Sequence, residues 1–253
     1  QIVGDGHTFN VQCQHPTIKG KLVRPTLVAF VDERAHAWLG SAIGLSENTE
    51  LIKLALYRSL VKCGEYAGLS SPAIPLSIKL DNGRAFRSKE LAGLENELMG
   101  EMGGLFARMK NYGLQHVSYS IPYNARSKII ERMFRDLNEF EKKWATYVGN
   151  KLVDKPGYLQ RNQDYLRTQH AALIEAQGGI PTLDQFFEAV TNWMIEYNQR
   201  ASDGKYLQGK SPFELIEEQR TAIDYRTRAL PQKELLELLM DRKYTPIKRR
   251  GVN

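Results

Sequence analysis

Three acidic residues in this sequence have the types and the setting to act together on a phosphodiester. Asp5 stands in Val3-Gly4-Asp5-Gly6-His7, Asp81 in Lys79-Leu80-Asp81-Asn82-Gly83, and Glu131 in Lys128-Ile129-Ile130-Glu131-Arg132. Hard divalent cations prefer oxygen ligands, and Mg²⁺ is commonly held by one or two carboxylates while it keeps several waters. Two such ions roughly 3.5–4 Å apart can activate an attacking oxygen and stabilise a leaving one. Clustered carboxylates repel each other, and bound cations remove that penalty. Singly, each acid has an ordinary reading. Asp81 in Asp-Asn-Gly is a turn former, Asp5 between two glycines marks a bulge or turn, and Glu131 is a solvated helix charge.

The elements that must position these acids follow from the residue pattern. Thr8, Asn10 and Gln12 alternate with Phe9, Val11 and Cys13, so Ile2 to Gln14 reads as a strand. Leu22 to Val31 and Trp38 to Leu45 are two more strands, and short polar breaks make the three an antiparallel meander. Ile52, Leu56, Leu60 and Cys63 then recur at helical spacing behind a Thr49 cap. Leu76 to Leu80 is a short strand ending at Asp81. A helix between it and the meander is a crossover, so this strand should run parallel to a meander strand. His116 to Ile121 is a further strand. Asn124 or Ala125 opens a long helix to about Val148, which carries Glu131. Later helices start after Thr182, at Ser211-Pro212 and at Pro231. Phe186, Phe187, Trp193 and Tyr197 form the apolar stripe of the first of these, a packing face rather than a base-stacking one.

This order, three antiparallel strands followed by alternating helices and strands, is that of an α/β ribonuclease H-like fold, a mixed five-stranded sheet flanked by helices. In that fold the strands bearing Asp5 and Asp81 are neighbours, about 4.8 Å apart. Residues 1–230 read as one catalytic core with extra C-terminal helices. Residues 231–253 read as a basic C-terminal tail. The chain of 253 residues is long enough for an ample core, and it reads as a fragment of a longer protein. Its longest apolar run, Leu27 to Val31, is far short of a membrane span. Two cysteines, Cys13 and Cys63, make no disulfide framework and are read as reduced thiols in an intracellular setting. A net charge of +6 and a pI near 9.2 hint at a polyanionic partner.

Several motifs together resemble the DDE transposase and retroviral integrase superfamily, most closely the transposases of phage Mu and its relatives. Gly4-Asp5-Gly6-His7 resembles the first catalytic motif and Leu80-Asp81-Asn82-Gly83 the second. The stretch Gly40 to Leu54, with Leu45-Ser46-Glu47-Asn48, is similar to the family's link between third strand and first helix. Pro122 to Phe134, ending Glu131-Arg132-Met133-Phe134, resembles the helix of the catalytic glutamate and is the most specific part. Tyr197-Asn198 followed by Ser211-Pro212-Phe213-Glu214 matches the pattern that closes many such cores. The 49 residues between Asp81 and Glu131 exceed the retroviral spacing and fit the longer insertion of Mu-like enzymes.

The resemblance implies a DNA transposase or integrase core that cleaves 3′ ends and transfers the strands by transesterification. Asp5, Asp81 and Glu131 would be its catalytic and metal residues, holding two Mg²⁺ or Mn²⁺ ions per active site. Double-stranded DNA, both transposon ends and target, would be the partner. Assembly on DNA as a homo-multimer, an ATP-dependent target-selector protein and a bacterial cytoplasmic location, with no membrane, are implied likewise. Asn82 and Arg84 follow Asp81 closely enough to touch the scissile strand. Asn124, Lys128, Glu131 and Arg135 share one helix face, with Arg132 alongside, so these groups are candidates for phosphate contacts. Lys248, Arg249 and Arg250 in the basic tail are others. A solvated helix face and a solvated terminus are the ordinary alternatives. His7, beside Asp5, is read as structural or DNA-contacting rather than as a base. A catalytically silent DNA-binding or assembly module of the same fold, and a ribonuclease H-like nuclease, are the competing readings.

Overall fold

Arginine and proline at positions 24 and 25 interrupt a run that the sequence presents as one continuous strand. In the computed structural model, which describes residues 1–63, 73–93, 104–120, 129–149, 164–204, 207–220 and 230–239, the strands are β1 (Ile2–Thr8), β2 (Cys13–Gln14), β3 (Leu22–Val23), β4 (Thr26–Asp32), β5 (Ala37–Gly44), β6 (Ser77–Leu80) and β7 (His116–Tyr119). The expected strands 2–14 and 22–31 are thus each broken, and β2 and β3 pair as a separate small sheet. Pro25 has no N–H to extend the ladder. The Arg24 side chain takes its place, donating from Nε to the Phe9 carbonyl at 3.0 Å.

The main sheet has the order β5-β4-β1-β6-β7. β1, β4 and β5 are the antiparallel meander, and β6 joins β1 and β7 joins β6 in parallel. This mixed five-stranded sheet flanked by helices is the ribonuclease H-like arrangement expected from the element order. The helices are α1 (Thr49–Val61), α2 (Lys89–Ala92), α3 (Leu105–Lys110), α4 (Ile129–Glu141), α5 (Asp164–Ala176), α6 (Leu183–Gln199), α7 (Pro212–Arg220) and α8 (Gln232–Leu239). None of those described is long and apolar enough to cross a membrane.

Both faces of β4 are buried, which is why its sequence is apolar without a break. Val28 and Phe30 point into one core with Ile78, Leu80, Ile52, Leu56, Phe106, Leu235 and Leu238. Leu27, Ala29 and Val31 point into the other with Val3, Trp38, Ile130, Phe134, Phe186 and Met194. On the first face α1 lies directly on β5. A Cβ at Gly40 would sit 2.3 Å from the Ser59 nitrogen, so only glycine permits that approach. The α1 cap is Asn48, not Thr49: the Asn48 Oδ1 accepts from the Leu51 N–H at 2.9 Å. On the same face the expected helix after Pro231 is present as α8, which buries Leu235 and Leu238 beside α1 and α3.

The helix expected to reach Val148 stops at Glu141. Its last carboxylate accepts from the Asn10 backbone N–H at 2.7 Å and from Asn10 Nδ2 at 2.9 Å. The following residues then pair with the end of the first strand run: Val148 N–H donates to the Asn10 carbonyl, Gln12 N–H donates to the Thr146 carbonyl, and Val11 bridges Tyr147. Those bonds replace further helix. The expected start of this helix, at 124 or 125, lies outside the described residues. On this face Thr182 caps α6 in a full capping box with Gln185. Ser211 caps α7 by accepting from the Glu214 N–H.

Candidate active site

The parallel ladder between β1 and β6 ends with Gly4 opposite Leu80, and the Asp81 N–H donates to the Gly4 carbonyl at 3.2 Å. Asp5 and Asp81 are therefore the next residues on neighbouring strands, side by side as expected. Each carboxylate is set by the glycine that follows it. Gly6 N–H donates to Asp5 Oδ1 at 2.8 Å, and Gly83 N–H donates to Asp81 Oδ2 at 3.2 Å. The glycine before Asp5 has a separate reason. A Cβ at Gly4 would meet Phe30 Cε1 at 2.5 Å and Leu80 Cδ2 at 3.0 Å, so the core beneath the pair is closed by those two side chains instead.

Side chains alternate along β1, so Asp5 shares a face with Val3 and His7, the face that α4 covers. The Phe134 ring stacks on His7 at 5.1 Å, and Glu141 reaches Asn10 further along the same strand run. The helix thus runs in the direction of β1. Glu131, three residues before Phe134 on that helix, is half-buried. Ile130, Met133, Phe134 and Leu137 face the sheet, while Arg132 and Arg135 are exposed. Arg132 lines a cavity of about 330 Å³ with His36, Asp136, Tyr197 and Arg200, not with the aspartates.

Burial, with a smaller contribution from the Arg24 charge, pushes the His7 imidazole down to about 4. It is neutral at pH 7, lies edge-on to Phe9 at 5.0 Å, and has its Nε2 buried without a hydrogen-bond partner among the described residues. A packing role agrees with these contacts. Asn82 is half-buried next to Asp81, and Arg84 is exposed in the following turn. Asn124, Lys128, Lys248, Arg249 and Arg250 lie outside the described residues.

Three features escaped the sequence reading. The Glu47 carboxylate lies over Gly6 and Gly83, where a Cβ would meet Oε2 at 2.2 Å and Oε1 at 2.9 Å. In the sequence Glu47 stands only in a link before a helix, Leu45-Ser46-Glu47-Asn48, where nothing points to the two glycines. The buried Glu141 anchors α4 to Asn10, and its carboxyl is raised from its ordinary range, chiefly by burial and against the pull of the Asn10 hydrogen bonds and Arg24. Asn198, fully buried, accepts from the Trp38 N–H at 2.9 Å and donates to the Trp38 carbonyl at 2.8 Å. It thereby satisfies the outer edge of β5 beside the bulge between Phe30 and Val31.

A divalent cation suits the donor chemistry of the aspartate pair: two carboxylates, both hard oxygen donors, on adjoining strands. Among the described residues no group of three or more histidine, cysteine, aspartate or glutamate side chains is gathered at metal-binding distance. The arrangement is a pair of half-buried carboxylates at the end of two neighbouring strands, not a closed cage.

No family model matches the chain. It is 27% identical over 194 residues to the Mu-like prophage FluMu transposase A of Haemophilus influenzae, covering 69% of this chain and 26% of that protein. The chain therefore spans about a quarter of the length of that relative. Among solved structures, a simian T-cell lymphotropic virus intasome in complex with a PP2A regulatory subunit aligns with 56% of this chain and 43% of its own. That alignment has 15% identity and a TM-score of 0.27, an overlap too slight to bear on function. Over 69% of its length the chain is thus similar in sequence to a Mu-like prophage transposase.

Proposed function

We propose that this chain is the catalytic core of a DNA transposase that cleaves DNA 3′ ends and joins them to a target by metal-dependent phosphoryl transfer. One observation carries the reading: Asp5 and Asp81 end adjacent parallel strands, each oriented by a glycine N–H, beside the helix bearing Glu131. The similarity to a Mu-like transposase supports it. Asp5 and Asp81 would be the principal ligands of Mg²⁺ or Mn²⁺, with Glu131 completing a second site. Bound there, the ions would supply charge neutralisation and activation of the attacking oxygen.

In the first step a water oxygen bonds to phosphorus and the bond to the 3′ oxygen breaks, leaving a 3′-hydroxyl. In the second that hydroxyl attacks a target phosphodiester and a target 3′ oxygen leaves. Double-stranded DNA would be the substrate and partner, with multimeric assembly on paired ends, and the exposed Arg84, Arg132 and Arg135 are candidates for phosphate contacts. An ATP-dependent selector belongs to the same reading. The test is Mn²⁺-dependent nicking and strand transfer on duplex DNA, comparing the chain with Asp81→Asn. Activity that needs the metal and disappears in the variant is expected. Activity of equal size in the variant would overturn the assignment.

A further inference from the structure

We propose that Glu47 is a positioning residue of this site, acting on a cation held by Asp5 and Asp81 through its charge and through water rather than as a direct ligand. The inference rests on the reading of that pair as a cation site. Glu47 precedes α1 on the other side of the sheet's end, yet its carboxylate closes over the two glycines that orient the aspartates. The space a Cβ at Gly83 would fill is 2.9 Å from Glu47 Oε1 and 3.5 Å from Asp81 Oδ2. A Cβ at Gly6 would fall 2.2 Å from Glu47 Oε2, while the Gly6 N–H holds Asp5. One carboxylate therefore spans both aspartate turns across the smallest residues available. Glu47 is exposed, so solvent and ions reach it. The three acids are not gathered at ligating distance, which is why the role is assigned through water and charge. Glycine at 6 and at 83 is explained by the same contact. Neither has a positive φ, so backbone freedom does not require glycine at either position.

A unit negative charge about 6 Å from a divalent cation, in a water-like dielectric, changes its affinity by roughly tenfold. Mn²⁺ binding is measured by titration calorimetry on the unaltered chain, Glu47→Gln, Gly6→Ala and Asp81→Asn, with thermal unfolding of each without metal. Glu47→Gln is expected to keep the metal-free Tm and weaken Mn²⁺ about tenfold. Gly6→Ala keeps the N–H to Asp5 but displaces the flexible Glu47 carboxylate, and is expected to weaken Mn²⁺ similarly. Asp81→Asn is expected to abolish measurable binding. Abolition by Asp81→Asn with unchanged affinity in Glu47→Gln overturns the Glu47 role alone. Unchanged affinity in Asp81→Asn overturns the cation site itself and this inference with it.

Discussion

Replacing Asn198 by alanine should unfasten the outer edge of the sheet at Trp38. Its side-chain amide makes two hydrogen bonds to one residue's backbone, at 2.9 and 2.8 Å, and is fully buried. The alanine leaves the Trp38 N–H and carbonyl without those partners, next to Phe134, Trp193 and Tyr197, whose rings surround Trp38. An unsatisfied buried polar group costs about 1–3 kcal/mol, and two are exposed to that penalty. The expected loss is about 3 kcal/mol, read as a fall in the urea midpoint at constant slope. Asn198→Asp should do no better, because a carboxylate can accept from the N–H but turns its other oxygen on the carbonyl. A loss under about 1 kcal/mol for the alanine variant would show that the bulged edge does not depend on Asn198, and would refute this account of the Tyr-Asn motif.

Acid should weaken the fold through His7. Its folded pKa lies near 4, below the ordinary 6.5, so the unfolded chain binds the extra proton between those values. The stability held above pH 6.5 is lost as pH falls towards 4, by at most about 3 kcal/mol. Urea midpoints at pH 7, 6 and 5 should fall less steeply in His7→Phe, which keeps the ring contacts; equal slopes would contradict the assignment. Gly4→Ala places a methyl 2.5 Å from Phe30 Cε1 and should destabilise by about 1–3 kcal/mol. Phe30→Leu on that background should recover part of the loss, which a double-mutant cycle by chemical denaturation would measure.

Much of the frame was legible because it depends on local rules. Alternation marked the first strand run, an unbroken apolar run marked β4, helical spacing marked α1, and the crossover rule placed β6 parallel to a meander strand. The strand order of the expected fold then set Asp5 beside Asp81. What escaped depended on contacts distant in sequence. Glu141 ends α4 by binding Asn10, a partner 131 residues away, so no local stop signal was present. Arg24 standing in for the missing N–H of Pro25 divided a run that read as continuous. Asn48 displaced Thr49 as cap because adjacent polar residues are equally good caps until the chain direction is known. Glu47 sits in a capping segment and reads as a favourable charge at a helix start. Only the sheet brings Gly6 and Gly83 beneath it.

The most direct test of the central claim is anomalous diffraction from crystals of this chain grown or soaked with Mn²⁺. The account predicts a peak between Asp5 and Asp81 at ordinary Mn–oxygen bonding distance from a carboxylate oxygen of each, and its loss in Asp81→Asn. A site without anomalous density at saturating Mn²⁺, in crystals whose Asp5 and Asp81 turns match those described, would contradict it.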